Sequence, residues 1–266
     1  MIKLNRNKYD YIISLGGCCD VANQLKHRGL RPCAFPLDWT FMIDDRPIRY
    51  LSEGIRSRFM QFCLRENMHE FDTPSYEYGV ERRRLEDTVS GSRFIHHFNS
   101  TPDDVEAFGK TRRILQKKLD RLFDAVTKSQ NVLFVLSTVF TYDAELLKNL
   151  YSALVETFPD TDIELVSMQF SSKECRSFEM FDGKIHVETY ERCRCDRYDT
   201  KLTAAEWRWL DGLSLHGWRS TAEVLKNNRI VRLKYKLWKW LENHCLASRG
   251  CFGHSEEVSI PTGKGE

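Results

Sequence analysis

The segment Ser14-Leu15-Gly16-Gly17-Cys18-Cys19-Asp20 constrains this chain more than any other stretch. It follows the apolar run Tyr9-Asp10-Tyr11-Ile12-Ile13 and precedes Val21-Ala22-Asn23-Gln24-Leu25. An apolar strand over residues 9–15 that breaks at paired glycines and continues as a helix from Cys19 to about Gly29 is a β-turn-α unit. Residues of the break then lie at the carboxyl edge of a sheet and the amino end of a helix, where unpaired N–H groups gather positive potential. A cysteine in that place is a candidate nucleophile, because the helix end favours thiolate over thiol. A buried small hydrophobe at a tight turn is the competing reading.

Downstream, Asn131-Val132-Leu133-Phe134-Val135-Leu136-Ser137 is apolar on both faces, 143–158 has a helical period, and 163–168 is a further strand. Strand, helix and two-sided strand in succession imply a right-handed parallel crossover. The expected fold is therefore α/β: three layers, with a mainly parallel sheet flanked by helices in a Rossmann-like or SGNH-like manner. Residues 46–65 read as helix, 70–92 as irregular with a short hairpin, and Thr101 or Asp103 caps a long helix to about Lys128. Lys184–Tyr190 reads as an edge strand, and helices are predicted at 203–213, 219–227 and 229–247. With no internal repeat and no linker rich in Pro, Gly or Ser, a single α/β domain over 1–254 and a flexible tail over 255–266 are expected.

Forty basic against thirty-eight acidic side chains give a net charge of +2, which supplies no global field for nucleic acid. No apolar stretch reaches the roughly 20 residues that cross a bilayer, and no signal-type segment follows Met1–Lys8, so a cytoplasmic location is expected. Nine cysteines in a reducing compartment are core residues, ligands or nucleophiles rather than disulfide partners.

The opening motif, the loop Phe35-Pro36-Leu37-Asp38-Trp39 and the segment Phe94-Ile95-His96-His97-Phe98 together resemble a bacterial and viral family described as papain-like cysteine peptidases. That family opens with strand-Ser-Leu-Gly-x-x-Cys-x-x-Ala-x-x-Leu, followed by Leu-Arg and by Pro-Phe-Asp-Trp or close variants. Ser14, Leu15, Gly16, Cys19, Ala22, Leu25, Leu30, Arg31, Pro36, Asp38 and Trp39 match it. The resemblance puts the family cysteine on Cys19, sets Cys18 where asparagine is often found, and puts His96 on a family histidine position and His97 on one more often acidic. Papain-like enzymes carry the cysteine on a helix and the histidine on a mostly antiparallel sheet, an arrangement unlike the parallel crossover expected here. The Gly-x-Cys layout after the first strand is also similar to SGNH-type hydrolases and to capsule-biosynthesis acetyltransferases that open with Gly-Asn-Cys.

A thiol nucleophile needs a base and the base an orienting acceptor. His96 is the candidate by family position and His216, in a glycine-flanked loop after Asp211, by topology. Asp38 is the candidate orienting acid or a clamp of its own loop, and Trp39 a pocket wall. Backbone N–H groups of Gly16, Gly17, Cys18 and Asp20 are candidate oxyanion or substrate contacts. Cys193-Arg194-Cys195 with Cys175 and His186 lacks a second compact pair, so no metal is expected. Nor is there a nucleotide-binding glycine motif. The basic, tryptophan-bearing segment 229–241 either packs on the sheet or makes a peripheral membrane contact.

The leading expectation is a Cys-dependent acyl-transfer enzyme without a resident cofactor, acting on a small-molecule, peptide or glycan substrate. Water as acceptor makes it a peptidase or other hydrolase. A saccharide or amine acceptor makes it an acyltransferase in surface-polysaccharide biosynthesis, with an acyl donor such as coenzyme A. A catalytically inactive domain that binds glycan, nucleotide or membrane is the alternative class.

Overall fold

The computed structural model describes residues 2, 4–77, 80–171, 177–191 and 206–216. Its elements run β1 (Lys8–Tyr9), β2 (Tyr11–Ser14), α1 (Cys19–His27), β3 (Thr40–Phe41), α2 (Arg46–Arg56), β4 (Met68–Glu77), β5 (Val80–Asp87) and β6 (Ser92–Phe98). They continue with α3 (Val105–Thr127), β7 (Asn131–Ser137), α4 (Ala144–Thr157), β8 (Asp162–Ser171), β9 (Ser177–Phe181), β10 (Ile185–Glu191) and β11 (Ser214–Leu215). The chain is a mixed α/β structure with parallel and antiparallel sheets.

The central sheet has the order β2-β7-β8-β10-β9, parallel except for β9. Every residue of β7 is buried, which a strand with apolar side chains in both directions demands. Val132, Phe134 and Leu136 belong to a core with Ile48 and Leu51 of α2, Leu119 and Leu122 of α3, and Leu147 and Leu150 of α4. Leu133 and Val135 belong to a second core with Val21 and Leu25 of α1, Val166, Met168, Trp207 and Leu210. Asp104 and Asp143 cap α3 and α4, accepting the N–H groups of Ala107 (3.0 Å) and Glu145 (2.9 Å). The α3 cap is thus one residue beyond the expected Asp103. Among the described strands β2, β7, β8 and β10 lie in chain order with no reversal, so no switch-point crevice forms.

A second sheet, β3-β6-β5-β4, is wholly antiparallel; the hairpin expected over 70–92 is there as β4 and β5, but longer than expected and joined by β6 and β3 in place of irregular chain. Its strands hide from a periodicity reading because their charges pair across the sheet instead of alternating with apolar residues. Arg83 meets Glu70 (3.1 Å), Arg84 meets Asp72, and Arg93 meets Glu86 (2.7 Å) while lying 4.3 Å over the Phe71 ring. Register shifts around Asp72 break the alternation further.

Three other expectations change. The helix of 46–65 stops at Arg56, where Arg58 and Phe59 turn to positive φ (53° and 56°) and Phe59 and Phe62 enter the core. Lys184–Tyr190 is no edge strand: β10 lies between β8 and β9. Residues 206–213 form turns and a short 3-10 segment rather than the end of a helix, and β11 pairs with β1. The predicted helices at 219–227 and 229–247, the segment 229–241, the boundary at 254 and Cys175, Cys193 and Cys195 lie outside the described residues. Among the described residues no helix is long and apolar enough to cross a membrane.

At the amino edge of the sheet, Glu164 is 1 % exposed and pairs with His186 Nε2 (3.2 Å). It also accepts the Asn5 N–H (3.1 Å) and the Tyr9 hydroxyl (3.1 Å). Burial pushes its carboxyl up, but the bonds from His186, Asn5 and Tyr9 outweigh it and hold the group below the ordinary glutamate value. A carboxylate held low stabilises the fold above its unfolded pKa and loses that contribution as pH falls through the folded one. Glu164→Gln is therefore expected to cost about 1–3 kcal/mol near neutrality, with the gap from wild type closing below about pH 4. Urea unfolding across pH measures it.

Candidate active site

The turn after β2 is held on every side. Leu15 N–H extends the β2 ladder to the Val135 carbonyl (2.8 Å), and Gly16 N–H donates to the Ser14 hydroxyl (3.2 Å). The Gly16 carbonyl accepts Ser137 N–H (3.3 Å), and the Gly17 carbonyl accepts Met42 N–H (3.2 Å). Gly17 also forms a parallel bridge with Phe41, which docks β3 on the turn. Both glycines have positive φ, 85° and 94°. A Cβ on Gly16 would collide with Thr40 Oγ1 and stand 2.9 Å from the Leu37 carbonyl oxygen, and one on Gly17 would collide with the Ser137 carbonyl. The loop 37–42 and the end of β7 thus close on bare backbone, and only glycine permits that approach.

Cys18 is the N-cap residue of α1, in extended conformation (φ −155°, ψ 162°). Its sulfur is buried and faces the Asp20 and Val21 amides and the Ser137 hydroxyl, without closing a capping hydrogen bond. Those groups favour the thiolate, yet burial dominates and pushes the thiol up to about 11. A thiol held there is a poor nucleophile near neutral pH. Cys19, the first helical residue, is half-buried.

This geometry revises the expected oxyanion set. The Gly16 N–H is committed to Ser14 and the Asp20 amide faces the Cys18 sulfur, while the bond of Gly17 to β3 uses its carbonyl. The Cys18 side chain points inward and can contribute only its peptide group. Asparagine at this N-cap would supply the oxygen that sulfur supplies poorly. Cys18→Asn is expected to raise stability by about 1 kcal/mol, or about 2–4 °C in a thermal melt.

Asp38 makes its hydrogen bonds to Arg31 and to its own loop rather than to an imidazole, and its buried Oδ1 takes no hydrogen bond. It is 1 % exposed, and its Oδ2 accepts Arg31 Nε (2.8 Å), Arg31 Nη2 (2.5 Å) and the Phe35 N–H (2.7 Å). Burial holds its carboxyl above the usual value despite Arg31. The loop-clamp reading of Asp38 is the one the geometry favours. Trp39 does flank His96, with ring centroids 5.9 Å apart and planes at 81°. β3 pairs Thr40 with Phe94, two residues before His96, so the strand docked on the glycine turn is also the neighbour of the strand bearing that histidine.

His216 is set apart from Cys19. Its N–H donates to the Tyr9 carbonyl (2.7 Å), before the start of β2, whereas the glycine turn follows the end of β2. Tyr9 to Gly16 is about 20 Å of extended chain. His216 lines an open cleft of about 740 Å³ with Tyr11, Pro32, Lys117, Arg121 and Asp124. Sequence reasoning also missed Ser14 and Arg31 as shapers of the site. The serine two residues before Gly16 carried the signal of a local hydroxyl-to-backbone turn. Among the described residues no group of three His, Cys, Asp or Glu could hold a metal ion, and His186 is engaged by Glu164.

No curated protein and no solved structure matches the chain. A family model matches residues 10–173, the stretch from β2 through β8 that contains the glycine turn, Arg31, Asp38, Trp39 and His96. With more than half of its length matched, the chain belongs to the family described as "Putative papain-like cysteine peptidase (DUF1796)".

Proposed function

We propose that this chain is a cysteine hydrolase in which Cys19 is the nucleophile and His96 its proton-transfer partner. The observation that carries the reading is the joining of two elements at the glycine turn. Cys19 opens α1 at the carboxyl edge of a parallel sheet, and the antiparallel sheet that bears His96 docks on the same turn through β3. A cysteine at a helix start beside a histidine on an antiparallel sheet is the arrangement a papain-like mechanism uses. The parallel sheet behind it, covered on both faces, supports a Rossmann-like or SGNH-like layering of the remainder.

In the first step the Cys19 thiolate attacks the substrate carbonyl carbon, and the peptide N–H groups of Cys18 and Cys19 receive the oxyanion. Collapse breaks the C–N bond, and the leaving amine takes the proton from the His96 imidazolium. Water then attacks the thioester with His96 as base, releasing the acid and the thiol. A saccharide or amine acceptor would convert the same acyl-enzyme into a transferase, with a coenzyme A thioester as one possible donor.

Intact-mass analysis with thiol-reactive acyl probes tests the reading. One stable adduct on Cys19, absent in Cys19→Ala, is expected. Labelling of Cys19 no faster than that of the other cysteines would end it. Adding sugar or amine acceptors and following loss of the adduct separates transfer from hydrolysis.

A further inference from the structure

We propose that Arg31 is a positioning residue, which, clamped by Asp38, fixes the Trp39 ring and through it the orientation of the His96 imidazole toward Cys19. The inference rests on the pairing of Cys19 with His96 proposed above and extends it to two residues that touch neither group's reacting atoms.

Arg31 is 9 % exposed and Asp38 1 %, and a buried charge pair persists only with close geometry. Both Arg31 nitrogens used, Nε and Nη2, converge on one Asp38 oxygen, which also accepts the Phe35 N–H, so the guanidinium plane is tied to the loop backbone at Phe35. Its central carbon lies 5.9 Å from the Trp39 ring centroid, within cation–π range. The indole meets the His96 ring almost perpendicularly, the preferred arrangement for an aromatic pair. Phe35, Asp38, Arg31, Trp39 and His96 are thereby linked by contacts from a fixed backbone point to the histidine. Lysine in place of Arg31 would keep the charge but lose both the fork and the stacking plane.

The same loop is fixed relative to Cys19. Thr40, the residue after Trp39, donates its hydroxyl to the Leu37 carbonyl (2.9 Å) and packs where a Gly16 side chain would stand. Trp39 therefore sits between a turn that holds the cysteine helix and a strand that holds the histidine. The Trp39 ring is one of the surfaces that set the imidazole's orientation, and the proton transfer needs that imidazole within about 3 Å of the sulfur.

The test is the pH profile of Cys19 alkylation in the full chain, read by peptide mass spectrometry for wild type, Arg31→Met, Arg31→Lys, Trp39→Leu, Trp39→Phe and His96→Ala. A thiolate formed by pairing with imidazolium reacts on the acid side of an ordinary thiol, so wild type is expected to exceed His96→Ala about tenfold near pH 6. Arg31→Met, Arg31→Lys and Trp39→Leu are expected to lose most of that excess and to match wild type within about twofold near pH 9, where the thiolate needs no partner. Trp39→Phe, which keeps a ring, is expected to retain it. If the Arg31 and Trp39 variants follow the wild-type profile while His96→Ala does not, the positioning role is overturned and the pairing stands. Equal slowing at every pH overturns it too, as a purely structural effect. If wild type and His96→Ala coincide, the pairing and the positioning role fall together. Should Trp39→Leu fail to fold, the comparison of Arg31→Lys with Trp39→Phe decides.

Discussion

Gly17→Ala is expected to prevent accumulation of folded protein. The Gly17 φ of 94° lies in the region that L-residues rarely adopt, and the added methyl would collide with the Ser137 carbonyl, whose carbon stands 2.7 Å from the Cβ position. The obstacle is backbone of β7, the most deeply enclosed strand of the sheet, so it cannot swing aside as a side chain would. Conformational strain of about 1–2 kcal/mol and overpacking of about 1–3 kcal/mol or more add at one point. Together they come to about 2–5 kcal/mol or more, which reaches the low end of a typical domain stability of about 5–15 kcal/mol. Gly183 supplies the control: its φ is also positive, 65°, but nothing lies within 4 Å of its Cβ position. Gly183→Ala carries the strain alone and is expected to fold with a loss of about 1 kcal/mol. Soluble yield and urea midpoints of the two variants measure the difference.

The contrast between those glycines marks what the sequence can carry. Gly16-Gly17 announced a turn between a strand and a helix, and β2 and α1 are found there, but nothing local said that β7 would press on the turn. β7 itself was legible because seven successive buried residues leave no polar face, and α4 because its stripe and Asp143 cap agree. The full antiparallel sheet was not legible, since Arg84 and Arg93 find acidic partners on other strands and Arg83 divides between Glu70 across the sheet and Glu81 on its own strand, and such pairing leaves no periodic mark on any one strand. The site divides in the same way. The register of the motif selected Cys19, and the structure puts that residue at the start of α1. Asp38 was ambiguous because its partner is a basic residue seven positions earlier, a separation that no turn or helix rule predicts. His216 depended on which sheet edge its loop would reach, and the pairing of β1 with β11 takes it to the amino edge.

The same division sets apart the expected reactivities of the adjacent cysteines. Cys18 lies 7 % exposed with its thiol pushed up to about 11, so about 0.01 % of it is thiolate at pH 7, against about 3 % for an ordinary exposed thiol near 8.5. Because the thiolate is the nucleophile, ionisation alone gives Cys19 an advantage of about two orders of magnitude even if its own thiol is ordinary, and the burial of Cys18 adds to it. Iodoacetamide at neutral pH is therefore expected to modify Cys19 at least about 100-fold faster than Cys18. Cys19→Ala is expected to remove that adduct and every acyl-probe adduct with it, while Cys18→Ala keeps both and loses stability only through the space its buried sulfur vacates. Comparable labelling of the two would mean that the turn opens in solution and exposes the Cys18 sulfur. In that event the clamp of Ser137, Thr40 and Met42 on the glycines would be weaker than their hydrogen bonds and close approaches imply, and Gly17→Ala would fold.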